Sequence, residues 1–212
     1  MDYIYLHGFA SSPNSAKAKY IVEYLAQNQI KLEIPDLNCD DFSGLTISRQ
    51  IKQVAANFSQ NNSVTIIGSS LGGLTAAHIG EQFPQVKRLV LLAPAFGFLS
   101  HWLPTLGQDI KQRWQQEKYL MVYHYGEQRE LPLSYDFLID ANQYQEQNLQ
   151  RPIPTLILHG QQDEVIPIQT SRNFAQQRSW VELIELNSNH SLGNVMPEIC
   201  QAIEDFSQLS NI

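Results

Sequence analysis

Residues 64–73 read Val-Thr-Ile-Ile-Gly-Ser-Ser-Leu-Gly-Gly: an apolar run that breaks into Gly-x-Ser-x-Gly, with Ser70 at its centre and a helix-like segment after it. Few patterns constrain a fold as tightly. A serine on so sharp a strand-to-helix turn is exposed, sits at a helix N-terminus and has a backbone N–H beside it that can bind an oxyanion. Glycines two residues to either side, Gly68 and Gly72, supply the room such a turn demands. The pentapeptide alone arises by chance, so the flanking strand and helix patterns must carry the reading, and both are present.

The rest of the chain repeats the strand-then-helix theme. Tyr3 to Leu6 forms a first apolar run, followed by a polar loop and by Lys17 to Gln27, with Ala18, Ile21, Val22 and Leu25 on one helical face. Leu32 to Ile34 is strand-like, Thr46 to Phe58 helical, and Val64 to Ile67 the strand that feeds the elbow. Leu74 to Gln82 reads as a helix stopped near Pro84, and residues 87–92 as a buried strand. Pro154 to His159 and Val181 to Leu186 give two more strands. This alternation predicts an α/β fold, with a mostly parallel sheet and helices on both faces. The final residues, Ser207 to Ile212, are expected to fray.

Between two of these strands lies a segment of 57 residues, from Pro94 to Gln150, far longer than an ordinary αβ connection. It reads as an insertion, and it holds ten of the 21 Phe, Trp and Tyr residues. Tyr119 to Tyr125 alternates as a strand, residues 126–129 supply a turn, and Leu131 to Ser134 pairs back to make a hairpin. Its aromatic residues are expected to form a satellite core. Trp102 and Tyr123 are the candidates for an apolar wall that accepts an acyl group.

Serine is a weak nucleophile at neutral pH, so a base must take its proton and an acid must orient that base. With this elbow the chain order is Ser, acid, His. Of six histidines only His190 follows a plausible acid in the C-terminal third, on the polar loop after the strand 181–186. Asp163, four residues past His159 at a strand end, is the candidate acid, because open α/β sheets place chemistry at the carboxyl ends of their strands. Glu164 is the nearest competitor; Asp109, Asp136 and Asp140 lie in the insertion and are weaker. The oxyanion donors are expected at the backbone N–H groups of Leu71, directly after the nucleophile, and Phe9, on the loop after the first strand, with Gly8 allowing the tight turn. His7 is expected to tie that loop down.

At 212 residues and 43% hydrophobic, the chain fits a single domain, residues 1–212. A net charge of −7 argues against nucleic acid or an anionic membrane as the main partner, and no run of eighteen apolar residues spans a bilayer. With no export pattern at the start, a cytoplasmic location is expected. Cys39 and Cys200 lie far apart and without metal-ligand spacing, so buried free thiols are expected, with no metal and no cofactor.

Three segments carry a family resemblance: residues 5–13 with Ser15-Ala16-Lys17-Ala18, residues 67–73, and Gly160 to Asp163 with Asn189-His190. Together they resemble the α/β-hydrolase superfamily and, within it, the small YqiA/YcfP-like serine esterases. The resemblance implies hydrolysis of carboxylic esters or acyl thioesters of small molecules, with Ser70, Asp163 and His190 as triad. Because the sequence starts directly on the strand bearing the oxyanion loop, a minimal sheet of about six main strands is expected. The aromatic insertion more resembles the hairpin insertions of feruloyl and other acyl esterases. The competing expectation is a non-catalytic ligand-binding or signalling protein on the same scaffold.

Overall fold

The computed structural model describes residues 1–59 and 62–207. Strand β1 (Asp2–Leu6) leads to α1 (Ala16–Gln27), whose N-terminus is capped by the Ser15 hydroxyl accepting from the Ala18 N–H. Then follow β2 (Leu32–Glu33), α2 (Ile47–Ala55), β3 (Val64–Ser69), α3 (Leu71–Gln82) and β4 (Val86–Leu92). After the insertion come β7 (Thr155–Gly160), α7 (Gln169–Gln176), β8 (Val181–Leu186) and α8 (Met196–Ser207). Ser207 lies in α8; the rest of the segment expected to fray, residues 208–212, lies outside the described residues.

Six strands form one parallel sheet in the order β2-β1-β3-β4-β7-β8. Strand periodicity divides its side chains between two cores. Ile4, Leu6, Ile66, Leu89, Leu91 and Ile157 face α2, α3 and the insertion. Tyr3, Tyr5, Ile67, Val90, Leu92 and Leu158 face the other way, against Ala18, Ile21 and Leu25 of α1 and Ile199 and Ile203 of α8. Burial on both faces is why β3, β4 and β7 read as nearly continuous apolar runs.

The insertion folds into α4 (Phe98–Leu106), α5 (Gln108–Glu117), an antiparallel hairpin of β5 (Tyr119–His124) and β6 (Arg129–Ser134), and α6 (Asp136–Ala141). Leu120, Val122, Leu131 and Leu133 turn inward, while Tyr119, Met121 and Tyr123 on the alternate face stay exposed. The hairpin is stapled to the body at both ends: Tyr125 N–H donates to the Ala10 carbonyl at 2.8 Å, and Ser134 N–H to that of Ser43 at 2.9 Å. Of the two free thiols only Cys200 is buried; Cys39 is exposed, on a turn where its backbone φ is 52°. Among the described residues no helix is long and apolar enough to cross a membrane.

Candidate active site

The elbow is built by close backbone approach. A Cβ on Gly68 would collide with the Gly72 carbonyl, and one on Gly72 with the carbonyl oxygens of Leu6 and His7. Ser70 itself adopts φ 52° and ψ −119°, a conformation costing a non-glycine residue on the order of 1–3 kcal/mol. Ordered partners on both sides hold it there. Ser70 N–H donates to the Leu92 carbonyl at 2.9 Å, and the Ser70 carbonyl accepts from Gly73 N–H at 2.9 Å and Ala95 N–H at 3.0 Å. The strain lifts the hydroxyl out of the sheet, at the N-terminus of α3.

His190 stands on the loop between β8 and α8. Gln161 N–H donates to the Leu186 carbonyl at 2.8 Å and Gln162 N–H to that of Ser188 at 2.9 Å, so the loops after β7 and β8 are bound to each other. Asn189 Oδ1 accepts from the Ser191 N–H at 3.1 Å, which shapes the turn at the histidine. From this position His190 Nδ1 lies 2.7 Å from Asp163 Oδ2, and Nε2 lies 3.1 Å from Ser70 Oγ. The acceptor on one side assigns the proton to Nδ1 and leaves the Nε2 lone pair facing the serine hydroxyl.

The Asp163 carboxylate is fully buried at 0% exposure, whereas the His190 side chain is 20% exposed. Burial alone would raise the Asp163 pKa, but the donors around it, from His159, His190 and the Ile166 N–H, outweigh burial and hold the carboxyl well below the ordinary range. Its Oδ1 accepts from Val165 N–H at 2.9 Å and Ile166 N–H at 2.8 Å. The competitors fall elsewhere: Glu164 is exposed at the cavity mouth, and Asp140 accepts from the Ser48 N–H at 3.0 Å.

Facing Ser70 is the loop after β1. His7 accepts from the Leu37 N–H through Nε2 at 3.1 Å and lies 3.0 Å from the Gly8 carbonyl through Nδ1, so the ring ties the loop to the segment after β2. Gly8 is needed for approach rather than for turning. A Cβ there would stand 3.3 Å from Ser70 Cβ, whereas the left-handed residue of the loop is Ala10, at φ 51°. The next residue, Phe9, packs its ring against Phe42, Trp102 and Phe137 at 5.7, 5.9 and 5.5 Å. Phe9 and Leu71 both line the cavity that opens over Ser70.

That cavity measures about 590 Å³, and Trp102, Phe98 and Phe137 form its apolar wall, with Tyr123 and Tyr125 at its rim. Trp102 lines the cavity and also packs edge-on against buried Trp114 at 5.8 Å, within the aromatic cluster of the insertion. Tyr123 is 48% exposed and touches Tyr125, so it belongs to the mouth rather than to the satellite core. A groove of about 700 Å³ between β8 and α8 contains none of these residues.

The match to known proteins extends over nearly the whole chain. Residues 2–208 match the model of the uncharacterised protein family UPF0227. The chain belongs to this family. No curated protein matches the sequence. Among solved structures, the UPF0227 chain is similar to mouse alpha/beta hydrolase domain-containing protein 10, at 20% identity and TM-score 0.81, covering 98% of this chain and 89% of that one. It is similar to Est1E of Butyrivibrio proteoclasticus, in a structure with ferulic acid bound, at 19% identity and TM-score 0.80 over 97% and 87% of the two chains. A third likeness is to MGS-MChE2, an alpha/beta hydrolase enzyme from a lagoon-sediment metagenome of Mar Chica, Morocco, at 17% identity and TM-score 0.71 over 100% and 92%. The fold is that of the α/β hydrolases.

Two residues at this site of the UPF0227 chain are given no role by the sequence reading. Lys17 Nζ donates to Ser69 Oγ at 2.9 Å, directly beneath the elbow, and burial, opposed by the charge of Asp163, pushes its ammonium down to about 8. His159, wholly buried, brings Nε2 to 3.0 Å from Asp163 Oδ2. Lys17 has no local signal, since its partner is 52 residues away; His159 has one, four positions before the acid at a strand end. Among the described residues no group of three or more His, Cys, Asp or Glu side chains is arranged to hold a metal ion.

Proposed function

We propose that the protein is a serine hydrolase that cleaves carboxylic esters or acyl thioesters through an acyl-enzyme on Ser70. The observation that carries this reading is the hydrogen-bond chain from Ser70 Oγ through both nitrogens of His190 to Asp163, set at the floor of an apolar cavity.

In the proposed cycle Ser70 Oγ attacks the substrate carbonyl carbon while its proton passes to His190 Nε2. The imidazolium so formed faces the buried carboxylate of Asp163, which stays ionised throughout. The carbonyl oxygen becomes an oxyanion held by the N–H groups of Phe9 and Leu71, each donor being worth about 3 kcal/mol of transition-state stabilisation. Collapse expels the alcohol or thiol, which takes the proton from His190 Nε2, and water then repeats the attack on the acyl-enzyme.

The cavity favours uncharged substrates with an apolar or aromatic acyl part. Its lining among the described residues includes one carboxylate, Glu164, and neither lysine nor arginine, so a polyanionic leaving group such as a nucleotide-bearing thiol meets no counter-charge there. Ferulic acid, bound by Est1E, is an acid of the aromatic kind. Turnover of p-nitrophenyl esters of rising chain length by wild-type protein and by Ser70→Ala tests the reading. The wild type is expected to hydrolyse them and the variant to retain less than about one part in 10³ of its kcat. Wild-type-like turnover by the variant would contradict it.

A further inference from the structure

Asp163 stands between two histidines, and the proposed cycle uses only one of them. We infer that His159 is a positioning residue for the reaction, sharing its Nε2–H between the Ile166 carbonyl and Asp163 so that the acid meets His190 in one orientation and as an anion. The inference rests on the triad reading above.

The His159 side chain is 0% exposed, as is that of Asp163, so every polar atom of the pair must be satisfied from within the protein. Nε2 lies 3.0 Å from the Ile166 carbonyl oxygen and 3.0 Å from Asp163 Oδ2. Both are acceptors, which assigns the ring proton to Nε2. Nδ1 lies 2.7 Å from the hydroxyl of Ser171, a residue that is itself 0% exposed on α7, so the ring is held from its other side as well. His159 therefore presents an Nε2–H to the acid from a ring held at both nitrogens. An N–H at this place orients the carboxylate from the side away from His190.

The geometry also restrains the turn that carries the acid. Asp163 Oδ1 accepts from the Val165 and Ile166 N–H groups, and His159 holds the Ile166 carbonyl from the other side. Both carboxylate oxygens thus face two donors each, His190 and His159 at Oδ2 and the two backbone groups at Oδ1. No carboxylate edge is left where a proton would avoid an N–H. The other charged groups near this pair are Glu185, register partner of His159 on β8 and bound by Arg172 at 2.7 Å, and Lys17, whose charge acts on Asp163 from α1.

Three variants test the assignment through kcat, KM and the pH profile of ester hydrolysis. His159→Gln keeps an N–H at the position of Nε2 and is expected to hold kcat within about threefold of wild type, with an unchanged profile. His159→Leu removes the donor. It is expected to lower kcat by about tenfold at unchanged KM and to move the acid limb of kcat/KM up by about half a pH unit, because Oδ2 is left to His190 alone. Ser171→Ala removes the hydroxyl that holds the ring at Nδ1 and is expected to shift the limb in the same direction by less. Wild-type kcat and profile in His159→Leu, or an equal loss in the Gln and Leu variants, would overturn the assignment. Should His159→Leu fail to fold, an unchanged pH profile in Ser171→Ala would overturn it. Failure of the triad reading is a separate outcome, since it requires Ser70→Ala to remain active.

Discussion

Replacing Asp163 by Asn removes one charge and almost no volume, yet the surroundings of this carboxylate turn that change into a defect at the serine. Oδ1 faces two backbone donors, Val165 N–H at 2.9 Å and Ile166 N–H at 2.8 Å, so the amide oxygen of Asn must take that side. The amide NH₂ then occupies the Oδ2 position, where it meets His190 Nδ1 at 2.7 Å and His159 Nε2 at 3.0 Å, donor against donor. Flipping the amide only moves the conflict to the backbone pair. His190 relieves its share by shifting the proton from Nδ1 to Nε2, and the nitrogen 3.1 Å from Ser70 Oγ then carries a proton instead of accepting one. In the proposed cycle this disables the base with the fold intact. A wrong tautomer of this kind lowers kcat by about 10³- to 10⁴-fold, equivalent to about 4–5.5 kcal/mol of lost transition-state stabilisation. Steady-state hydrolysis of p-nitrophenyl esters gives kcat and KM, with KM expected to change little because Asp163 is buried away from substrate. Circular dichroism checks folding. A folded Asp163→Asn protein with kcat within tenfold of wild type would refute the reasoning.

Acid sensitivity offers a second test. Burial, opposed by a hydrogen bond that the ring donates to the Tyr144 backbone and by the charge of Glu81, pushes the His78 imidazole from 6.5 down to about 4, and its Nε2 has no hydrogen-bond partner among the described residues. The unfolded chain protonates His78 below pH 6.5 while the folded chain resists, so the stability present above pH 6.5 is lost as pH falls towards 4, by about 3 kcal/mol in all. His78→Leu is expected to flatten that slope in urea melts between pH 7 and 4.5; an unchanged slope would contradict the assignment. Gly72→Ala drives a methyl group into the carbonyls of Leu6 and His7 and is expected to cost more than about 3 kcal/mol or to abolish soluble expression, read by thermal melting. Trp102→Ala opens the cavity wall and is expected to shift preference towards longer or bulkier acyl groups with a stability loss of about 2–3 kcal/mol, whereas Tyr123→Ala at the rim changes KM with little effect on stability. If no chain-length preference moved in either variant, the acyl-wall role of the insertion would fail.

Much of the candidate site was legible because so tight a strand-to-helix turn imposes local sequence. Gly68 and Gly72 are demanded by backbone approach, and their spacing about Ser70 is visible without a structure. His190 and Asp163 were reached through chain order and through their place beyond strand ends, which the parallel sheet dictates. The hairpin was legible to within two residues, since alternation from Tyr119 onwards reflects one buried and one exposed face. The helices α4 and α5 were not. The first does carry Phe98, Leu99, Trp102, Leu103 and Leu106 at helical spacing, but Pro104 near its end reads as a breaker; the second buries only Trp114 and so displays no apolar stripe. Helix α7 hides for the same reason, with Ser171 and Phe174 as its only buried residues. The contacts of Lys17 with Ser69 and of Ser171 with His159 join distant segments, and only the folded chain brings them together.

The central claim is that Ser70 is an activated nucleophile, and covalent labelling with a fluorophosphonate followed by peptide mass mapping tests it most directly. The account predicts a single adduct on Ser70 in the folded wild type, formed far more slowly in Asp163→Asn and absent in Ser70→Ala. A folded wild-type protein that takes no label, or takes it on another residue, would contradict the claim and favour a scaffold that binds its ligand without reacting.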